Sequence, residues 1–340
     1  MKYPKISAQD MRGVASIVPT PVKEGCDNWR ATDVVNLAEA ERVIRAQVEA
    51  GIDIIWTNGT YGEGASLLWE EIKQFAEVVI GTVNKRIPVF IGATTLNTRE
   101  TIQRGKVLRD MGADGLFLGR PMWCALDVTA MVQFYKDVAE ALPEMAVVVY
   151  DNADAFKGKI PNKVYAELAK IPQIVASKYR SISAGLTPES YVNDLKAVNG
   201  KIKLWPVEAD WFFANKWFPE EADGCWSPGA CCGPAPILML RDALFSGNIK
   251  EAEKIAKDIA WSYETMLPEG SFEIFNRYNI QIEKIHFNAA GYMKCGPSLP
   301  PYHLIPDKYR ASAEEAGRRW KTIYEKYSQA GARAAAPHKR

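Results

Sequence analysis

The sequence predicts an α/β fold, a (β/α)8 TIM barrel with a C-terminal helical extension, and three observations predict it. Eight short β-branched or apolar runs recur before residue 230. Most are continuous rather than alternating, as in parallel strands covered on both faces. Helical stretches fall between them, and a strand followed by a helix, repeated eight times, is the barrel pattern.

The first run is Val14 to Val18, followed by Pro19-Thr20-Pro21. A doubly wound sheet would want a glycine-rich dinucleotide turn at that point, so the barrel is favoured. The second run, Ile52 to Trp56, comes after a helical stretch over 33–50, and the third, Val89 to Gly92, after one over 69–84. Helical stretches over 98–111 and 128–142 flank the fourth run, Gly115 to Leu118, and lead to the fifth, Ala146 to Tyr150. Ile174 to Lys178, Lys203 to Val207 and Gly224 to Ser227 complete the eight. The barrel is assigned to residues 1–246. Segments 248–267, 272–293 and 307–328 read as helices separated by Pro/Gly punctuation, which assigns 247–328 to an extension packed on the barrel. Residues 329–340 read as a disordered tail.

Composition narrows the function. The chain has 340 residues and a formal net charge of +1, so no summed field draws it to nucleic acid or an anionic membrane. No segment approaches the roughly 18 apolar residues of a membrane span, and the start lacks a signal-peptide run. A cytoplasmic protein acting on a small molecule is expected. The six cysteines show no CxxC or Cys/His zinc spacing and read as reduced packing thiols. With three histidines, acid–base and nucleophilic groups fall to Lys, Tyr, Asp or Glu, and no metal site is expected.

In a barrel of this kind the active site lies at the C-terminal ends of the strands. Strand 2 runs into Gly59-Thr60-Tyr61-Gly62-Glu63-Gly64, whose backbone N–H groups and Thr hydroxyl suit a small anion; a plain tight turn reads equally well from the motif alone. Strand 5 ends in Tyr150-Asp151-Asn152, a phenol at the mouth or an amphipathic packing residue. Strand 6 ends in Ala176-Ser177-Lys178, and here position decides. An ammonium in a doubly covered strand is costly unless its pKa falls, and a desolvated lysine is a nucleophile for carbonyl carbon.

Gly59-Thr60-x-Gly62-Glu63 after strand 2, Tyr150 ending strand 5 and Lys178 ending strand 6 together resemble the dihydrodipicolinate synthase and N-acetylneuraminate lyase family of Schiff-base aldolases, over roughly residues 10 to 300. The resemblance implies a homotetrameric barrel enzyme in which Lys178 forms an imine with the C2 carbonyl of pyruvate. It further implies that Gly59, Thr60 and Tyr61 hold the pyruvate carboxylate and that Tyr150 shuttles protons. No cofactor is implied, because the imine lysine does the work of a metal.

The departures narrow the activity. Tyr61 replaces the synthase's second turn hydroxyl, Trp123 stands where an aromatic hydroxyl is wanted, and Ala155 replaces a carboxylate-binding arginine. Dihydrodipicolinate synthesis is therefore not expected. Pro121-Met122-Trp123, Trp226-Ser227-Pro228-Gly229 and Tyr278-Asn279-Ile280 are instead similar to a subgroup of hydratase-aldolases that cleave benzylidenepyruvates to an aromatic aldehyde and pyruvate in polycyclic aromatic degradation. On that reading Asn152 places the water or the new hydroxyl, and Trp226 joins the substrate site. Trp123 either walls the aromatic ring or packs in the core. Asn279 reaches the mouth or caps a helix, with the cap favoured. The ring carries an ortho-carboxylate or an ortho-hydroxyl: the hydroxyl would need only a polar partner, while the carboxylate, which is favoured, would profit from a cation, for which Arg180, Arg120, Lys157 and Arg277 are candidates. The alternatives are a pyruvate-dependent aldolase for a sugar acid and a non-catalytic keto-acid sensor.

Overall fold

The computed structural model describes residues 5–179 and 188–335. Its eight strands are β1 (Gly13–Val18), β2 (Ile54–Thr57), β3 (Val89–Gly92), β4 (Gly115–Leu118), β5 (Ala146–Tyr150), β6 (Ile174–Lys178), β7 (Lys203–Trp205) and β8 (Gly224–Ser227). They are all parallel; β1 to β7 pair in chain order, and β1 also pairs β8. β7 stops before Pro206, which lacks an N–H to donate to a ladder. The seam is then closed beyond it by a single bridge, Val207 to Trp226, with the Trp226 N–H donating to Pro206 O at 3.0 Å. Every strand residue except Lys203 and Trp226 is buried, the pattern of a doubly covered parallel sheet.

The barrel interior is a column of rings. Tyr150, Phe117, Trp56 and Trp205 stack in that order, with centroids 4.6, 5.3 and 5.9 Å apart and planes within 24° of parallel. At Gly224 the Trp205 ring occupies the space a Cβ would need, so glycine is required there by close approach rather than by φ. Register decides what faces the top of this column. Tyr150 pairs directly with Lys178, and Lys178 with Trp205.

The barrel helices are α1 (Leu37–Ala50), α2 (Trp69–Val83), α3 (Thr98–Met111), α4 (Val128–Ala141), α5 (Asn162–Leu168), α6 (Pro188–Val198), α7 (Glu208–Trp217) and α8 (Ala235–Phe245). α1 starts later than periodicity predicts. Asp33 has φ 54°, Val35 makes an antiparallel bridge with Val22, and Asn36 caps the helix by accepting from the Glu39 N–H at 3.2 Å.

After the barrel come α9 (Ile249–Tyr263), α10 (Phe272–Arg277), α11 (Asn279–Ala290) and α12 (Asp307–Ala335). The helix predicted over 272–293 is thus two, broken at Tyr278 and stopped at Gly291, whose φ of 80° suits glycine. The last helix runs past the predicted end at 328 through Ala335, because the alanine-rich stretch there keeps high helix propensity. Phe287, Cys295, Leu299 and Trp320 of the extension share one apolar core with the barrel strands. The Trp320 ring fills the space beside Gly229, and its Nε1–H donates to Gly233 O at 3.1 Å. Among the described residues no helix is long and apolar enough to cross a membrane.

Candidate active site

The loop after β2 is shaped by Asn58, whose φ of 54° turns the chain so that its carbonyl sits where Gly64 and Gly92 would carry a Cβ. The Asn58 amide donates to Thr20 Oγ1 at 3.2 Å, and Thr20 donates in turn to Gly62 O at 3.1 Å. Glu63 anchors the far side. Its fully buried carboxylate accepts from Lys284 Nζ at 2.7 Å and from the Leu299 N–H at 2.5 Å, so a helix of the extension holds the turn.

Thr60 is thereby presented to Tyr150. Their hydroxyls lie 2.5 Å apart, and the Thr60 N–H donates to Tyr150 Oη at 3.4 Å. The Asn152 amide donates to Tyr150 Oη at 3.2 Å and to Thr60 Oγ1 at 3.4 Å. Burial pushes the Tyr150 phenol above its ordinary pKa, and the hydrogen bonds from Thr60 and Asn152 oppose it. The phenol oxygen is therefore an acceptor of several donors, an arrangement that eases proton transfer to and from it.

Lys178 stands beside it, 8 % exposed. Its Nζ is 3.5 Å from the Trp226 ring centroid and 5.0 Å from that of Tyr150. Trp226 is held by its Nε1–H, which donates to Tyr179 O at 2.9 Å. Burial lowers the Lys178 pKa to about 7, against the pull of the Glu283 and Asp151 carboxylates. A large share of this amine is thus uncharged and nucleophilic near neutral pH.

These groups open into a cavity of about 980 Å³. Gly59, Thr60, Tyr61, Tyr150, Asn152, Lys178, Trp226 and Asn279 all line it, so eight of the ten predicted site residues converge on one space. Two do not. Trp123 is 77 % exposed and stands neither in the core nor in the cavity wall; its carbonyl accepts from Lys157 Nζ at 2.9 Å, and Met122 lines the cavity in its place. Arg180 lies outside the described residues. Asn279 is the first residue of α11, with Tyr278 at the cap position and no side-chain capping bond. The cap reading is corrected: Asn279 faces the cavity. Of the remaining candidate cations, Arg277 lines the cavity, whereas Arg120 is fully buried, its guanidinium donating to Gly158 O and standing 3.7 Å from Asp151.

Several lining residues were not singled out by sequence. Phe272 and Phe275, stacked at 5.8 Å, come from α10, and Glu283 from α11, with Arg104 added by α3. Glu208, just after β7, is fully buried, and desolvation raises its pKa to about 7. It accepts from the Gly229 N–H at 2.9 Å and from the hydroxyls of Ser227 and Tyr263, which fixes the turn behind Trp226.

The profile of the Dihydrodipicolinate synthetase family matches residues 20–280. The chain belongs to this family. Within it, the chain is 45% identical over 327 residues to trans-2'-carboxybenzalpyruvate hydratase-aldolase of Nocardioides sp. (strain KP7), covering 96% of this chain and 98% of that one. It is 40% identical over 333 residues to trans-O-hydroxybenzylidenepyruvate hydratase-aldolase of Pseudomonas putida, with 97% and 98% covered. Among solved structures, PhdJ bound to substrate intermediate superposes with TM-score 0.93 at 44% identity, over 95% of this chain and 99% of that one. Dihydrodipicolinate synthase from Acinetobacter baumannii complexed with pyruvate shares the fold at TM-score 0.74 and 24% identity, over 90% and 99%. The Dihydrodipicolinate synthetase family fold thus carries here a helical extension that contributes part of the cavity wall.

Proposed function

We propose that the chain is a Schiff-base hydratase-aldolase that hydrates a trans-benzylidenepyruvate and cleaves it to an aromatic aldehyde and pyruvate. The observation that carries this reading is the buried Lys178 amine beside a Tyr150–Thr60–Asn152 hydroxyl–amide cluster, at the base of a largely apolar cavity. The relatives named hydratase-aldolases, matched over nearly the whole chain, support it.

The free amine of Lys178 adds to the C2 carbonyl, takes up a proton and expels water, leaving an iminium conjugated to the C3=C4 bond. That bond is now electron-poor: water adds at C4, next to the ring, and gives up a proton, while C3 takes one up, which restores the iminium on a 4-hydroxy chain. Asn152 places the water, and Tyr150 takes the proton from the hydroxyl it becomes. The C3–C4 bond then breaks, its electron pair moving toward the iminium nitrogen; the aldehyde leaves, the enamine is protonated, and water releases pyruvate from Lys178. The Thr60 and Tyr61 backbone N–H groups hold the substrate carboxylate throughout. Trp226 and the stacked Phe272 and Phe275 give the aromatic ring its apolar wall.

The ring carries an ortho-carboxylate, on this reading, met by Arg277 at the cavity wall. The imine supplies the electron sink without a cofactor. The family resemblance carries a cytoplasmic homotetramer, which light scattering of the purified protein checks.

Borohydride trapping is the direct test. With trans-2'-carboxybenzylidenepyruvate or pyruvate, a reduced adduct is expected on the peptide bearing Lys178, with aldehyde released from the former. Lys178→Ala abolishes both; near-native turnover by that variant overturns the Schiff-base reading. Arg277→Gln is expected to raise KM for the carboxylated substrate while leaving that for the 2'-hydroxy analogue unchanged, and an equal change for both sinks the ortho-carboxylate assignment.

A further inference from the structure

Glu283 lies on α11, is 6 % exposed and lines the same cavity as Lys178 and Tyr150. Its Oε2 has no hydrogen-bond partner. The nearest basic group on its own helix, His286 Nδ1, is 3.9 Å away, beyond hydrogen-bond reach, and both nitrogens of that ring lie 3.6–3.7 Å from the Cys232 sulfur. A buried carboxylate oxygen left without a donor is costly, and the cost is offset when a positive charge arrives nearby.

Such a charge is made in this site. An uncharged amine becomes an iminium when carbonyl condensation takes up a proton and expels water, so a net positive charge appears at the Lys178 nitrogen in a desolvated place. Two carboxylates, Glu283 and Asp151, line the cavity with that nitrogen, and each favours a positive charge on it. Asp151 is already engaged, accepting from the Tyr165 hydroxyl at 3.2 Å and standing 3.7 Å from the Arg120 guanidinium. Glu283 keeps its Oε2 uncommitted.

We propose that Glu283 is a positioning residue whose carboxylate is the counter-charge for the iminium formed on Lys178. It stabilises that intermediate relative to the neutral carbinolamine, and so holds the electron sink in its charged, electron-withdrawing form through hydration and cleavage. Lys178, Tyr61 and Tyr150 line the cavity together with Glu283 and feel its charge. Its charge also reaches Glu208, Tyr263 and the thiols of Cys231 and Cys232, and His286 Nδ1 stands 3.9 Å from it. Lys178 is the amine among them, and the catalytic cycle gives it a charge.

The inference rests on the Schiff-base reading, and the experiment separates the two. The rate of imine formation with pyruvate is followed against pH by borohydride trapping and mass, for the wild type, Glu283→Gln and Glu283→Asp. In Glu283→Gln the acid limb moves about one unit lower, as expected when an opposite charge is removed from the amine's neighbourhood. Turnover of the benzylidenepyruvate falls about tenfold for each unit of lost iminium stabilisation. Glu283→Asp keeps the charge and keeps the limb near the wild-type position. An unmoved limb in Glu283→Gln overturns the proposal, and so does a shift in Glu283→Asp as large as in Glu283→Gln, which is the mark of a packing role. Absence of any wild-type adduct sinks the Schiff-base reading itself. Should Glu283→Gln fail to fold, difference infrared spectra on adding pyruvate are compared for wild type and Glu283→Asp. A carboxylate band perturbed by imine formation and displaced in the Asp variant supports the proposal; no perturbed carboxylate band overturns it.

Discussion

At the scale of single residues, Lys178 sets the pH behaviour. Burial lowers its pKa to about 7, and only the uncharged amine attacks a carbonyl. Below pH 7 the amine is increasingly protonated and imine formation falls; above it the rate levels off. A trapping rate measured from pH 5 to 9 is expected to show this acid limb near 7, and a limb near the ordinary lysine value, about 10.4, contradicts the desolvated environment. The reason is legible in sequence, since Ile174-Val175-Ala176 in a doubly covered strand announces burial and Lys178 ends that strand. Trp123 shows the opposite case. A tryptophan in a βα loop can pack, wall a ligand or stand in solvent, and residue type does not choose; here it is exposed while Met122 lines the cavity.

At the scale of elements, α11 does the most that periodicity does not reveal. It delivers Asn279 and Glu283 to the cavity, and its Lys284 reaches Glu63 in the turn after β2, 221 residues away in sequence. Both members of that pair are essentially buried, and Lys284 also donates to Pro297 O at 2.7 Å. Removing one partner strands a buried charge, so Lys284→Met is expected to cost about 3–5 kcal/mol in a denaturant titration. Because the pair holds the turn that presents Thr60, the same variant should raise KM for the benzylidenepyruvate; unchanged KM with intact stability would show that the turn stands without the extension. Gln281, Glu283, Lys284 and His286, interleaved with Ile282 and Ile285 in one otherwise apolar helix, are the signal in the sequence that polar groups are buried there. Their partners lay too far along the chain to be named.

For the whole molecule, barrel and extension fold on one shared core. Trp320 of α12 fills the space beside Gly229 and bonds to Gly233, in the segment just after the strand that carries Trp226. Trp320→Ala is expected to cost about 3–5 kcal/mol, the usual range for an emptied aromatic site, read as an earlier midpoint in chemical unfolding. A loss below about 1 kcal/mol would mean that α12 is dispensable to the barrel.

What the sequence determined by itself was local. Eight apolar runs, the helices between them, the residues at which strands stop and the glycine-rich turn are all set by short-range patterning, and in a parallel barrel strand ends face one mouth. That was enough to bring out Lys178, whereas the roles of Tyr150 and Thr60 came from the family resemblance. The tertiary structure alone decided how the extension folds back. It places Asn279 in the cavity rather than on a cap, leaves Trp123 out of the wall, pairs Lys284 with Glu63, and brings Glu283, whose Oε2 accepts no hydrogen bond, into the cavity that Lys178 lines. These outcomes depend on packing between segments hundreds of residues apart, and hydrophobic periodicity carries no information about which distant faces meet.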